Sequence, residues 1–231
     1  MHLSCPMTLR VPVLHARNLR FCGTLGVFAG FGMASIAGKR IQKELAELMK
    51  SDEAAQNQLE IKPCNDDMMH LCGLIKGPPD TPYTGAEFNL DIIIPENYPF
   101  VPPKVKFITK IWHPNISSAT GVICLDVLKD QWAAAMSLRT ILLSIQALLA
   151  SPEPDDPQDA VVANQYKSSI DAFNRTARHW AGIYANGPGC DPHCVDLVDK
   201  LVQMGFDEHE ACRALSMKNW DLAMATEHLI K

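Results

Sequence analysis

The chain has 231 residues, 47% of them hydrophobic and 20% charged, and a formal net charge of −5. This length fits one domain of ordinary size with a small appendage and excludes two large domains. The negative charge, and the lack of any basic cluster interleaved with aromatic residues, argue against a nucleic-acid partner.

Residues 1–32 differ in composition from the rest. The first 43 residues contain no Asp or Glu, and the uncharged stretch 21–38 is interrupted by five glycines, which argue against a membrane span and a membrane partner. We expect an N-terminal extension that is disordered or absent from the mature protein, with Met33 as an internal initiator. A mitochondrial presequence is the alternative, since such peptides carry Arg and lack acids.

The first predicted helix covers residues 35–51, where apolar and charged residues take opposite faces. The apolar face consists of Ala37, Ile41, Leu45, Leu48 and Met49. The polar face consists of Lys39, Arg40, Lys43, Glu44, Glu47 and Lys50. We expect the apolar face to pack on the core.

Four runs with strand character follow, separated by turns rich in Pro and Gly. They cover residues 58–63, 69–75, 87–94 and 105–109. In the third run apolar residues alternate, as expected where one face of an antiparallel sheet is buried. These residues are Phe88, Leu90, Ile92 and Ile94. The long irregular stretch that follows, residues 111–136, is where we expect the chemistry.

Ser137 can cap a helix that ends at Ser151-Pro152. Its apolar stripe consists of Leu138, Ile141, Leu142, Ile145, Leu148 and Leu149. Two further helices are predicted at residues 158–167 and 171–185.

Gly and Pro at residues 187–189 predict a linker, residues 186–190. The fold predicted for residues 33–185 is α+β, with an N-terminal helix, a four-stranded antiparallel sheet and C-terminal helices. Residues 191–231 contain three short amphipathic runs and predict a small all-α three-helix bundle.

Two caps are predicted inside this bundle. Asp207 with Glu210 forms a start of the capping-box type for the second helix. Asn219 can cap the third helix.

The irregular stretch contains His113-Pro114-Asn115, and Cys124 follows nine residues after the asparagine. Other motifs stand at spaced positions on both sides. They are Tyr83-Thr84-Gly85, Tyr98-Pro99-Phe100, Pro102-Pro103, Gln131-Trp132 and Pro154-Asp155-Asp156-Pro157. Together these residues resemble the active-site signature of ubiquitin-conjugating enzymes, over residues 33–185.

The resemblance implies an acyltransferase of the ATP-dependent ubiquitin pathway. The enzyme would accept ubiquitin from the activating enzyme as a thioester on Cys124. It would then transfer ubiquitin to a lysine of a substrate or of ubiquitin, building polyubiquitin chains. Both steps need a sulfur that is a good nucleophile and afterwards a good leaving group. No cofactor is implied.

The eight cysteines are scattered, unlike the dense framework of small secreted domains. We therefore expect a reducing compartment, the cytoplasm and also the nucleus. Cys124 aside, the cysteines are interpreted as ordinary small hydrophobes. Cys190, His193 and Cys194 could be metal ligands, but no second pair stands at zinc-ligand spacing, which favours an ordinary linker.

The resemblance also assigns roles near Cys124. Asn115 would donate a hydrogen bond to the oxyanion formed when a lysine attacks, or would only brace the loop. Asp156 would orient the amine and assist loss of its proton, with helix N-capping as the alternative for Asp155 and Asp156. His113 would order the loop rather than act as a base, because nothing here resembles a thiol-protease signature.

Further residues are expected to bind partners. The activating enzyme would contact Lys39, Arg40 and Lys43, which alone would be only a solvated face. Phe100 and Ala134 match positions that bind RING or HECT ligases, and an exposed aromatic residue is a common anchor. The sequence Ala-Ala-Ala at 133–135 replaces the Ser-Pro-Ala of several members, which leaves the choice of ligase open.

In the C-terminal bundle, Met204, Gly205 and Phe206 match the loop of ubiquitin-associated domains, and Leu229 matches the second half of their binding patch. Such residues can form an adaptable apolar contact surface. The resemblance implies that the bundle binds ubiquitin or polyubiquitin and can hold an acceptor chain. The alternative is that Phe206 and Met204 close the bundle core.

Two other functions are left open. One is a ubiquitin-binding adaptor with a catalytically idle fold, which the presence of Cys124, Asn115 and Asp156 argues against. The other is conjugation of a different ubiquitin-like modifier, which the ubiquitin-associated domain argues against.

Overall fold

The structure is a computed structural model that describes residues 35–52 and 56–231. The N-terminal extension, the presequence alternative and the initiator Met33 lie outside the described residues. In the described part of the chain, no helix is long and apolar enough to cross a membrane.

Helix α1 spans Ile36–Leu48. Ser35 caps it, because its side chain accepts a hydrogen bond from the backbone N–H of Gly38 at 2.9 Å. Ala37, Ile41 and Leu48 are buried as predicted. Met49 is not part of the buried face: it follows the helix as its C-cap and is 84% exposed.

Glu44 was expected on the polar face of α1 but is buried. The Tyr98 hydroxyl and the backbone N–H of Leu138 each donate to its carboxylate at 2.8 Å. Arg40 forms an ion pair with the same group. Burial, and then the Glu44 carboxylate, raise the pKa of Tyr98 above its usual range. Because these hydrogen bonds and the ion pair compensate for the loss of water around the carboxylate, Glu44 can be buried.

The sheet has four antiparallel strands in the order β1-β2-β3-β4, as predicted. The strands are β1 Glu60–Cys64, β2 Asp67–Lys76, β3 Glu87–Ile93 and β4 Lys104–Phe107. All four alternating apolar residues of the third run are buried, which confirms which face meets the core. The first strand begins later than predicted, because Gln58 has a φ of 52°, outside the β region.

Cys64 and Cys72 form a disulfide between β1 and β2. The interpretation of every cysteine except Cys124 as an ordinary hydrophobe is therefore wrong for this pair. The strand register shifts between Pro63 and Cys64, and this irregularity brings the two residues together. Neither the spacing nor the composition of the chain reveals such a shift.

Three helices follow the irregular stretch. They are α2 Leu138–Ala150, α3 Ala160–Ser168 and α4 Ile170–Tyr184. The predicted apolar stripe of α2 is buried along its whole length. Helix α3 begins later than predicted and is capped by Asp159, whose side chain accepts from the N–H of Val162. N-capping by Asp155 or Asp156 is therefore wrong.

The C-terminal bundle contains α5 Pro192–Gln203, α6 Glu208–Met217 and α7 Leu222–Ile230. Asp207 caps α6 as predicted. Asn219 does not cap α7, because Asp221 takes that position. Asn219 instead has a φ of 50°, and its side chain accepts a hydrogen bond from Gln165 at 2.8 Å.

The bundle packs on α3 and α4 through buried polar contacts. The Gln165 amide donates to the Ser216 carbonyl at 3.1 Å. The Trp180 indole donates to the Ser216 hydroxyl at 2.8 Å, and the Trp220 indole donates to Thr176 at 3.0 Å. Buried apolar residues of both parts belong to one continuous core. The bundle is thus fixed to the α+β part by directional bonds as well as apolar contacts.

Candidate active site

Backbone hydrogen bonds fix the irregular stretch that carries Cys124. The N–H of Cys124 donates to the Asn115 carbonyl at 2.9 Å. The Pro114 carbonyl accepts from the N–H groups of Gln158 and Asp159, each at 2.9 Å. The motif residues and the segment before α3 are therefore held against each other, although they are distant in sequence.

The Cys124 side chain is partly exposed and lies between two groups of opposite charge. The Lys129 ammonium donates to Sγ at 3.1 Å, and Oδ2 of Asp156 lies 3.7 Å from Sγ. The hydrogen bond to Cys124 is the main cause that raises the pKa of Lys129. Lys129 is therefore a cation at neutral pH, placed where it would stabilise a thiolate.

Sequence reasoning missed Lys129. The 3-10 helix Asp126–Leu128 turns the chain back after Cys124, so that the Lys129 side chain returns to the sulfur. A turn this short has no periodic pattern to detect. The only available signal was a basic residue soon after the motif cysteine.

Asn115 is almost fully buried, and its amide is occupied by the segment that carries Asp156. Nδ2 donates to the carbonyls of Glu153 at 2.8 Å and Asp156 at 2.9 Å, and Oδ1 accepts from the Glu153 N–H at 2.8 Å. These hydrogen bonds are of the kind expected if Asn115 braces the active-site loop. Donation to an oxyanion requires one of the two Nδ2 bonds to break.

His113 is fully buried and uses both ring nitrogens within the fold. Nδ1 lies 3.0 Å from the Asn115 N–H and accepts from it, so Nε2 carries the proton and donates to the Leu148 carbonyl at 3.1 Å. Burial lowers the pKa of His113 to about 3. The ring is therefore neutral at physiological pH and has no free nitrogen for proton transfer with Cys124.

Phe100 and Ala134 are exposed on two loops that contact each other. The Phe100 side chain is 73% exposed. The Trp132 indole donates to the Pro99 carbonyl at 2.8 Å, which ties the loop before Ala134 to the loop that carries Phe100. The two residues expected to bind ligases thus stand on adjoining segments.

The three basic residues of α1 differ in their surroundings. Lys39 and Lys43 are exposed, and Lys43 forms a weak surface pair with Glu47 at 3.7 Å. Arg40 is half-buried, pairs with Glu44 and donates to the Met136 carbonyl at 3.1 Å. Lys39 and Lys43 are therefore available to an acidic partner, whereas Arg40 is partly used within the fold.

The four residues expected to bind ubiquitin lie on the loop after α5 and near the end of α7. Met204 is 63% exposed, and Gly205 has a φ of +98°, which favours glycine. Phe206 and Leu229 are half-buried and pack against the core. Met204 thus does not close the bundle core, whereas Phe206 contributes to both the core and the surface.

No group of three or more His, Cys, Asp or Glu side chains is placed to hold a metal ion within residues 35–52 and 56–231. Cys190, His193 and Cys194 do not form such a group. Cys194 is buried, and burial raises the pKa of its thiol to about 12.

Comparison with known proteins tests the resemblance directly. A family model described as ubiquitin-conjugating enzyme matches residues 40–181, and a model described as UBA/TS-N domain matches residues 196–229. The chain belongs to the ubiquitin-conjugating enzyme family. It is therefore a transferase with a cysteine thioester intermediate, in a family that works with ubiquitin, an activating enzyme and ligases.

Individual relatives are similar in sequence to this chain over most of its length. Ubiquitin-conjugating enzyme E2 K of Homo sapiens is 58% identical over 198 residues, which are 86% of this chain and 99% of that protein. Ubiquitin-conjugating enzyme E2-22 kDa of Drosophila melanogaster is 58% identical over 197 residues, 85% of this chain and 99% of that protein. These relatives confirm the resemblance expected from the sequence.

Solved structures confirm the fold. A ubiquitin-conjugating enzyme from Plasmodium yoelii has a TM-score of 0.62 and 50% identity, covering 65% of this chain and 96% of that one. The E2 domain of a Toxoplasma gondii ubiquitin-conjugating enzyme has a TM-score of 0.60 and 48% identity, covering 64% and 98%.

Proposed function

We propose that Cys124 carries ubiquitin as a thioester and transfers it to a lysine of a substrate or of ubiquitin, building chains. The supporting observation is the position of its sulfur, partly exposed and 3.1 Å from the Lys129 ammonium. Cys194 and Cys212 are buried, and burial raises the pKa of each thiol to about 12. Those two thiols are neutral and inaccessible, so they suit the reaction less well.

In the loading step, the Cys124 sulfur attacks the thioester carbonyl of ubiquitin on the activating enzyme, whose thiolate leaves. The Cys124 sulfur carries a negative charge before it attacks. It carries that charge again when a lysine amine later displaces it from the thioester. Lys129 stabilises that charge at both moments, because its ammonium is already in contact with the sulfur.

In the discharge step, the lysine amine attacks the thioester carbonyl and must lose a proton. The exposed carboxylate of Asp156, 3.7 Å from the sulfur, is placed to orient the amine and accept that proton. Asn115 holds the Asp156 segment through two carbonyls. One of its amide N–H groups turns to the oxyanion as the tetrahedral intermediate forms.

His113 acts through the loop rather than on the substrate. Its neutral ring connects the Asn115 N–H to the Leu148 carbonyl of α2, so it fixes the motif loop to a buried helix. The low pKa of His113 keeps this bridge intact across the physiological range.

Three surfaces serve three partners in this proposal. The exposed Lys39 and Lys43, with Arg40, face an acidic surface of the activating enzyme. Phe100 anchors a RING or HECT ligase beside Ala134. Met204, Gly205, Phe206 and Leu229 contact ubiquitin of an acceptor chain.

A loading assay tests the proposed carrier. The purified chain and Cys124→Ala are incubated with activating enzyme, ATP and ubiquitin, then compared on non-reducing and reducing gels. We expect a thiol-sensitive ubiquitin adduct on the parent chain and on the control Cys64→Ser, and no adduct on Cys124→Ala. Absence of the adduct on the parent chain would favour an idle adaptor or a different modifier.

A further inference from the structure

The Cys64–Cys72 disulfide lies on the outer face of the sheet. The neighbours of Cys72 in β2, Leu71 and Gly73, are buried in the core, so Cys72 points to the opposite face. Cys72 pairs in register with the exposed Lys62, and the disulfide holds Cys64 beside Cys72 on this outer face. Each is half-buried rather than enclosed in the core.

An irregularity in the hairpin creates this pair. Pro63 pairs with Leu71, whereas the next residue, Cys64, pairs with Asp67, so β2 contains extra residues at this point. Diagonal neighbours in a regular antiparallel pair stand about 7–8 Å apart, too far for a disulfide. Here the Cα atoms are 5.5 Å apart, within the normal range for one.

Charged residues flank Cys72 on the outer face. Lys62 is the cross-strand partner of Cys72 on β1, and its side chain is exposed. On β3 the partner is Asp91, whose carboxylate is 2.6 Å from His70 and 3.3 Å from Lys106. A cationic side chain close in the fold is a common feature of reactive cysteines, and Lys62 supplies one across the strand pair.

We propose that Cys64 and Cys72 are a redox modification site, oxidised to the disulfide by hydroperoxides and returned to the dithiol by small thiols. The Cys72 thiolate attacks the peroxide O–O bond, forming a sulfenic acid and releasing hydroxide, which takes up a proton to become water. The Cys64 thiol then attacks that sulfur, the S–S bond forms, and a second water leaves. Two electrons pass from the thiols to hydrogen peroxide, which is reduced to two waters.

Oxidation closes a covalent clamp across the irregular part of the β1–β2 hairpin. Strand β1 is the edge strand of the sheet, and Cys124 follows β4 at the other edge. The clamp therefore stabilises the fold without using the thiol proposed to carry ubiquitin.

The test uses the full chain with Cys124→Ser, so that peroxide cannot oxidise that thiol, alone and with Cys64→Ser or Cys72→Ser added. After treatment with hydrogen peroxide, unreduced peptides are alkylated and mapped by mass spectrometry. We expect a Cys64–Cys72 cross-link that dithiothreitol removes, and a melting temperature about 5 °C higher in the oxidised form.

Both serine variants should show neither the cross-link nor the oxidant-dependent rise in melting temperature. Alkylation of both cysteines after peroxide treatment, or pairing of either with another cysteine, would overturn the proposal. So would the same thermal shift in the serine variants. None of these readouts depends on ubiquitin transfer.

Discussion

Opposite charges flank the sulfur of Cys124, and the proposed mechanism assigns each of them to a different step of the reaction. Lys129 contacts the sulfur at 3.1 Å, whereas Asp156 stands 3.7 Å away and is exposed to solvent. A cation in contact acts on the charge of the sulfur, and a carboxylate nearby acts on the incoming amine. Substitutions of the two residues should therefore affect different steps.

Lys129→Gln should slow ubiquitin loading of the chain roughly 2- to 5-fold at pH 7, because an exposed charged contact of this kind contributes up to about 1 kcal/mol. Single-turnover loading rates at pH 7 measure this, with Lys129→Arg as the charge-retaining control. A loss in Lys129→Arg as large as that in Lys129→Gln would contradict the role of the positive charge.

Asp156→Asn should slow discharge to free lysine about 10- to 100-fold while leaving loading nearly unchanged, because only discharge requires the amine to lose a proton. The matched control is Asp155→Asn. Asp155 is almost fully exposed and pairs with Lys167 at 2.8 Å, away from the sulfur. Discharge of preformed thioester is followed on gels, and equal effects of the two substitutions would refute the assignment.

Among the elements, α1 and α2 are joined by Glu44, a contact that no hydrophobic pattern reveals. Glu44→Ala should lower the free energy of unfolding by about 3 kcal/mol, because it leaves the buried Tyr98 hydroxyl and the Leu138 N–H without their acceptor. Urea unfolding measures the change.

Glu47→Ala is the control for Glu44→Ala, one helical turn further along α1. Glu47 is exposed, and among residues 35–52 and 56–231 its carboxylate makes only a surface pair with Lys43. Its loss should change the free energy of unfolding by less than about 0.5 kcal/mol. Similar losses in both variants would show that Glu44 is not an anchor between the helices.

The sequence pattern was sufficient to predict the elements in which buried residues recur at a regular spacing. The alternation in β3 and the stripe in α2 reflect geometry that repeats along the chain, so one sequence reveals them. Glu44, Lys129 and the Cys64–Cys72 disulfide depend on partners brought together by a turn, a register shift or another helix. Asn219 failed as a cap because a contact with Gln165 of α3 took its side chain.

For the whole molecule, the contact between the bundle and α4 includes a histidine that must stay neutral. His179 is buried, and its Nδ1 accepts from the Asp191 N–H at 3.3 Å while its ring meets Trp220 edge to face. Burial lowers the pKa of His179 to about 4; Asp191 opposes this shift and Arg175 adds to it.

The chain should therefore lose stability on acidification. Between pH 6.5, the usual pKa of histidine, and about pH 4, the unfolded state binds a proton at position 179 that the folded state does not. At pH 5 this should lower the free energy of unfolding by about 1–2 kcal/mol relative to pH 7. Burial also lowers the pKa of His113 to about 3 and of His209 to about 4, so these histidines add to the same loss. His179→Gln should therefore reduce the change in unfolding free energy between the two pH values by about 1–2 kcal/mol in urea unfolding, and an unaltered change would contradict the assignment.

The carrier role of Cys124 is tested most directly by the intact mass and chemical lability of the ubiquitin adduct on Cys124→Ser. A serine at the carrier position should form an oxyester, so we predict a chain with one added ubiquitin that resists dithiothreitol and is released by hydroxide. If the adduct on Cys124→Ser is instead cleaved by dithiothreitol, another cysteine carries ubiquitin, and the proposed mechanism is wrong.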